Sequence, residues 1–260
     1  MKSISSKTIL LIHGAFVTNK TWEEWVPYFE NKGYRVISPA WPYKDASVAV
    51  LKGRQPDERI ASTTLPQLVD HYSKIIAALP ERPIVIGHSL GGLLVQLLLQ
   101  KNLVEAGVAI HSVPPQGITT FAFSFFRSTF KPLGFFTSTK KSHLMSLSEW
   151  KYAFTNGMSE EEQKATYESY AVPESKLVIR AGLTSAAKVD FKKPHAPLLF
   201  ISGSEDHIMP ASLNMSNFEA YEDEASVTNY KEFYGRNHFV LGLPTWREEA
   251  DYILNWIDKN

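Results

Sequence analysis

Gly87-His88-Ser89-Leu90-Gly91-Gly92 follows directly on the apolar run Ile84-Val85-Ile86 and leads into Leu93-Leu94-Val95-Gln96-Leu97-Leu98-Leu99. Read as local structure, this is a buried strand that stops at a serine on a sharp turn and continues as a helix. The helix is apolar on nearly every side, so it must be buried in the interior. Glycines at 87 and 91 suit a place where strand and helix approach too closely for a Cβ. A strand-turn-helix of this kind pushes the serine hydroxyl out beyond the edge of the sheet. A serine hydroxyl is a poor nucleophile at neutral pH, so Ser89 also needs a neighbouring base. Gly-x-Ser-x-Gly occurs by chance in many chains, and its setting between strand and helix is what gives it meaning here.

Outward from this turn, short apolar runs alternate with helical patterns, which predicts an α/β protein with a mostly parallel sheet flanked by helices. Thr8–Ile12, Tyr34–Ser38, Ile84–Ile86, Gly107–His111, Leu198–Ser202 and Val227–Phe233 read as about six strands. Trp22–Asn31, Leu65–Leu79, Leu90–Lys101 and Thr245–Asp258 read as the helices between and after them. Tyr43–Thr64 is polar and reads as an irregular loop. The rhythm breaks from about Gln116 to Lys193, where helical patterns at Leu147–Asn156 and Ser159–Tyr170 stand alone. Ser159-Glu160-Glu161-Glu162 has the form of a helix start, with acidic residues in the first turn. The expected division is a core of residues 1–115 and 194–260 with a helical cap insertion at 116–193. Such a cap would lie over the C-terminal edge of the sheet, where open α/β sheets bind ligands.

Composition narrows the functions available. The 260 residues carry 27 Lys plus Arg against 27 Asp plus Glu, so overall charge suggests neither nucleic acid nor an anionic membrane as a partner. The chain has 0 Cys, which excludes disulfides, thiol catalysis and thiolate metal sites. Its 8 His show no metal-ligand spacing, so neither a metal nor a cofactor is expected. No apolar run reaches the roughly 18 residues of a membrane span. With no signal-type leader, a soluble, cytoplasmic protein is expected. Oligomeric state is not legible.

A base for Ser89 is available in Gly235-Arg236-Asn237-His238-Phe239, just after the last strand. An acid to orient that base is available in Gly203-Ser204-Glu205-Asp206-His207-Ile208-Met209-Pro210, just after the strand before it. Glu205, Asp190 and Asp223 compete with Asp206. Ser112-Val113-Pro114-Pro115, after the strand ending near His111, offers no carboxylate. With Asp206 as the candidate acid, the chain order is Ser89, Asp206, His238.

With His13-Gly14 after the first strand, these motifs resemble the α/β-hydrolase fold family over essentially the whole chain. The likeness is to its small serine esterases, lactonases, perhydrolases and hydroxynitrile lyases. It implies a Ser89–His238–Asp206 triad, with an oxyanion hole from the backbone N–H groups of Leu90 and Ala15, and with Phe16 as the alternative to Ala15. His13 and His88 would brace loop and elbow, and His207 would be a loop residue. The substrate would be a small to medium apolar carboxylic ester or lactone, cleaved through an acyl-enzyme. Other chemistry on the same triad is the alternative: perhydrolase, C–C hydrolase, acyl transferase, hydroxynitrile lyase, or a low-turnover receptor. Lyases of the fold carry lysine after the histidine, whereas Phe239 stands here. Dehalogenases and epoxide hydrolases carry aspartate at the position of Ser89.

The aromatic cluster from Phe121 to Phe136 is expected either to pack the cap or to line the pocket. An exposed, membrane-touching lid is disfavoured by the cost of leaving such rings in water. Phe16, Phe121, Phe125 and Trp150 are the expected substrate contacts.

Overall fold

The computed structural model describes residues 3–260, so residues 1 and 2 of the expected core lie outside it. Six parallel strands form one sheet in the order β2-β1-β3-β4-β5-β6. They are β1 (Thr8–Ile12), β2 (Arg35–Ile37), β3 (Ile84–His88), β4 (Ala106–Ile110), β5 (Leu198–Gly203) and β6 (Thr228–Phe233). β1, β3, β4 and β5 are buried along their whole length, as near-continuous Val/Ile/Leu runs covered on both faces should be. Successive side chains alternate between two cores. Leu10, Ile12, Val85 and Phe200 face one side, and Ile9, Leu11, Ile86 and Ile201 face the other.

Along the chain, α1 (Trp25–Glu30), α2 (Val48–Gly53), α3 (Glu58–Ser62) and α4 (Leu65–Ala77) precede β3, and α5 (Leu90–Gln100) follows it. Between β4 and β5 lie α6 (Phe123–Leu133), α7 (Leu147–Ala153), α8 (Glu160–Tyr170) and α9 (Lys176–Arg180). α10 (Ala211–Glu219) and α11 (Trp246–Lys259) complete the chain. α4 and α5 cover the first core, while α1 and the Trp246, Ala250, Ile253 and Ile257 stripe of α11 cover the second. Among the described residues, no helix is long and apolar enough to cross a membrane.

The chain reverses direction across the sheet between β1 and β3, and such a switch point opens a crevice at the C-terminal strand ends. Ser89 stands there, between β3 and α5, at φ 56° and ψ −117°. The elbow depends on two glycines. A Cβ on Gly87 would lie 2.2 Å from the Gly91 carbonyl oxygen, and one on Gly91 would lie 2.3 Å from that of Ile12.

The stretch 43–64 departs from the loop expected there. α2 and α3 form in it, capped by the side chains of Ser47 and Asp57, and Leu51 and Ile60 pack with Val172. Helices of six and five residues are too short to show a 3.6-residue period in sequence. α7 and α8 begin at full capping boxes, Ser146/Glu149 and Ser159/Glu162.

Candidate active site

Four strand ends deliver the polar groups to one point. Ser89 follows β3, His111 follows β4, Asp206 follows β5 and His238 follows β6. The Ser89 hydroxyl lies 3.0 Å from His238 Nε2, and His238 Nδ1 lies 2.7 Å from Asp206 Oδ2. All three residues are buried. Asp206 Oδ1 accepts the N–H groups of Ile208 and Met209, both at 2.8 Å, which fixes the carboxylate plane. Burial pushes the Asp206 pKa up, but electrostatic attraction to the His238 ring and hydrogen bonds from His111 and His238 outweigh it and hold the group below the usual carboxylate range. An ionised Asp206 only accepts, so His238 carries its proton on Nδ1 and turns the Nε2 lone pair to the serine hydroxyl.

His111 was not picked out from sequence. It is fully buried, with φ 47°, and its Nδ1 donates to the same Asp206 Oδ2 at 2.6 Å. The available signal was a histidine closing an otherwise apolar strand at the edge that carries Ser89. His111, Asp206 and His238 also form a cluster whose candidate ligand atoms lie within 4.8 Å of one another. The separations of 2.6 and 2.7 Å are those of hydrogen bonds, and a cation with bonds of about 2.0–2.2 Å to each atom would have to push them apart.

His88, His13 and His207 each hydrogen-bond to a backbone carbonyl. His88 Nε2 donates to the His238 carbonyl at 3.0 Å, holding the backbone of His238. His13 donates from Nδ1 to Gly14 O at 2.8 Å, accepts the Trp41 N–H on Nε2 at 3.2 Å, and stacks on the Trp41 ring. His207 donates from Nδ1 to Tyr152 O at 2.8 Å.

The loop after β1 is shaped by a buried ion pair. Glu174, between α8 and α9, pairs with Lys44, from the segment after β2, and both are buried. Burial lowers the Lys44 pKa, against the opposing pull of Glu174. Glu174 Oε2 also accepts the Phe16 N–H at 3.2 Å, and Phe16 sits at φ 65°. The Phe16 amide is therefore already engaged. Ala15 and Leu90 both reach the cavity beside Ser89, and the N–H of Leu90, first in α5, has no acceptor within the helix.

A cavity of about 480 Å³ opens above Ser89 and His238. Phe16, Phe125, Met145, Phe154, Ile179 and Met209 are among its walls, and Phe121, Phe126 and Leu183 stand at an exposed rim. Among the described residues, no Asp, Glu, Lys or Arg lines it. Trp150, expected to touch substrate, does not reach this space. Its buried indole stacks on Phe154 at 4.3 Å and donates to Thr166 Oγ1 at 3.1 Å, so it backs the wall instead of forming it.

A family model described as the alpha/beta hydrolase family matches residues 9–250. Comparison with curated protein sequences gives no match. Among solved structures, the chain is similar to a monoacylglycerol lipase from Paleococcus ferrophilus, at 22% identity and TM-score 0.70, over 97% of this chain and 94% of that one. It is also similar to tomato methylketone synthase I complexed with β-ketoheptanoate, at 15% identity and TM-score 0.71, over 98% of each chain. A pyrethroid hydrolase from Sphingobium faniae matches at 18% identity and TM-score 0.65, again over 98% of each chain.

Proposed function

The chain belongs to the alpha/beta hydrolase family, and from that premise we propose that it is a serine hydrolase cleaving a small to medium apolar carboxylic ester or lactone. The observation that carries this reading is the relay from Ser89 Oγ to His238 Nε2 and from His238 Nδ1 to Asp206 Oδ2, at 3.0 and 2.7 Å, on the floor of an uncharged cavity. A cavity without ionised side chains cannot compensate a charged substrate for its lost hydration, so neutral apolar esters fit it. The printed names of two similar structures, a lipase and a pyrethroid hydrolase, agree with ester chemistry.

In the proposed cycle His238 Nε2 takes the Ser89 proton as Oγ attacks the ester carbonyl carbon. The oxyanion that forms is stabilised by the N–H groups of Ala15 and Leu90, a contribution of about 3–4 kcal/mol per donor in comparable sites. His238 then gives its proton to the leaving alkoxide, and the carbon–oxygen bond to the alcohol breaks. Water, deprotonated by His238, attacks the acyl-Ser89 ester and releases the acid. Asp206 keeps the imidazole in the required tautomer and balances its transient charge. No step calls on a metal or an organic cofactor.

Residues 116–193 act as the cap of this enzyme, and Phe125, Met145, Phe154 and Ile179 from that segment, with Phe16, form the acyl or alcohol pocket. The reading is tested with p-nitrophenyl acetate, butyrate and octanoate, comparing the natural protein with Ser89→Ala. Turnover should fall by about 10³-fold or more in the variant, with a fluorophosphonate labelling Ser89 only in the natural protein. Equal rates for the two proteins on all three esters would end the hydrolase reading. Labelling of Ser89 without ester turnover would move it to a transferase or receptor.

A further inference from the structure

Ten large apolar side chains are exposed in the described chain, and six of them are phenylalanines between 121 and 136. Phe121 and Phe136 are 94% and 96% exposed. In α6, Phe123, Phe126 and Phe130 recur at i, i+3 and i+7, so they form one stripe, and that stripe faces solvent. Phe125, Thr129 and Pro132, on the other side of the helix, face the cavity. The usual polarity of a surface helix is thus reversed: rings point out where charges are expected. The stripe is continuous with the cavity, because Phe126 belongs to both and the exposed Phe121, just before α6, also lines the cavity.

Charge selects the occupant. No Asp or Glu occurs between Glu105 and Glu149, while Arg127, Lys131, Lys140 and Lys141 are exposed there and none of the four is in an ion pair among the described residues. The balanced net charge of the whole chain conceals this local cationic face. A second copy of the same face would bring like charges together across a two-fold axis, so self-association is opposed. A surface with anionic headgroups above an apolar interior satisfies both features at once, the rings entering below the headgroups and the cations pairing with them.

We propose that the face formed by Phe123, Phe130, Phe136, Arg127 and Lys131 docks the protein on an anionic lipid surface with the cavity mouth turned toward the lipid. An apolar ester then passes from the lipid phase to the cavity without crossing water. Docking itself needs no chemistry at Ser89, and only the delivery of substrate rests on the hydrolase reading above.

The test is sedimentation of Ser89→Ala protein with phosphatidylcholine vesicles, with and without phosphatidylglycerol. Binding should require phosphatidylglycerol and weaken as salt is raised. It should fall at least tenfold in Phe123→Ser/Phe130→Ser/Phe136→Ser and in Arg127→Glu/Lys131→Glu, each cation being worth about fivefold near such a surface. In the Ser89-containing protein both sets should leave hydrolysis of dissolved p-nitrophenyl butyrate unchanged, with circular dichroism confirming the fold. No binding to either vesicle, or binding indifferent to both sets, overturns the proposal. So does a concentration-dependent dimer in light scattering that the phenylalanine variants abolish, since the face would then be an interface between copies. If vesicles bind but esters are not turned over, the docking stands and the hydrolase reading falls.

Discussion

Asp206 Oδ2 accepts two imidazole protons, from His238 Nδ1 at 2.7 Å and from His111 Nδ1 at 2.6 Å. Hydrogen bonds to a charged acceptor are worth about 1.5–3 kcal/mol each, so His111 is a substantial part of what keeps Asp206 ionised and oriented. It reaches neither Ser89 nor the cavity, and its action on the reaction runs through Asp206. His111→Leu should lower kcat about tenfold with KM little changed, while His111→Asn, which retains a donor, should recover part of the loss. Asp206→Asn should cost far more, on the order of 10³–10⁴ in kcat, because the tautomer of His238 is lost. Steady-state kinetics on p-nitrophenyl butyrate would measure both effects. A change in KM alone for His111→Leu would mean that His111 shapes the pocket and does not position the acid. Ser89, Asp206 and His238 were expected together from sequence because each follows a recognisable strand in a local pattern, and their side chains do meet. His111 could not, because its importance arises only when β4 pairs with β5, bringing together residues 95 apart in the chain.

The loop after β1 shows the same limit at the level of elements. Its shape is held by Lys44 and Glu174, two charged side chains 130 residues apart that meet in the interior and that no local pattern links. The acidic start at Ser159 made α8 readable, because a helix start is written within four residues, while α7 was read from its helical pattern and its Ser146/Glu149 box appears only in the structure. α6 was obscured for a different reason. Its rings point to solvent, while sequence reasoning assigns rings to the inside. The ion pair makes a definite prediction. Glu174→Gln retains an acceptor for the Phe16 N–H but leaves a buried ammonium without its counter-charge, and should cost about 3–5 kcal/mol in urea unfolding. Lys44→Met combined with Glu174→Gln should regain most of that stability, since removing both charges removes the unpaired one. Ester turnover should stay reduced in the double variant, because Phe16 and Ala15 lose the rigid support of the pair. A single variant as stable as the natural protein would show that the pair does not hold this loop.

Across the whole molecule, composition reported neutrality correctly but not how charge and protonation are distributed. Strand periodicity reached the six-stranded parallel sheet because β1, β3, β4 and β5 are uniform apolar runs. Which histidines the fold would bury in neutral form required the packed structure. Burial holds the pKa of His13 well below the usual histidine value, helped by the nearby Lys44 charge. Burial does the same to His88, helped by His238 and His111. His71, His143 and His195 are lowered in the same direction, chiefly by burial. In the unfolded chain each takes up a proton near pH 6.5. Below that pH the unfolded state binds more protons than the folded one, so stability is complete above about pH 6.5 and declines as pH falls toward the folded pKa values. Asp206 acts in a lower window. Its folded pKa is depressed, so its contribution is present above about pH 3.9, the unfolded value, and is lost only as pH falls through the folded pKa. Between pH 6.5 and 4 the histidines therefore set the slope, each fully neutral one contributing up to about 1.4 kcal/mol per pH unit. Thermal unfolding should show a midpoint that is level from pH 8 to 7 and drops steadily from about pH 6.5 to 5. His88→Gln should be less stable at pH 7 yet show a shallower decline, because one titrating site is gone. The comparison rests on the slope, which loss of packing alone would leave unchanged. An unaltered midpoint down to pH 5 would mean that these rings are protonated, or exposed, in the folded protein.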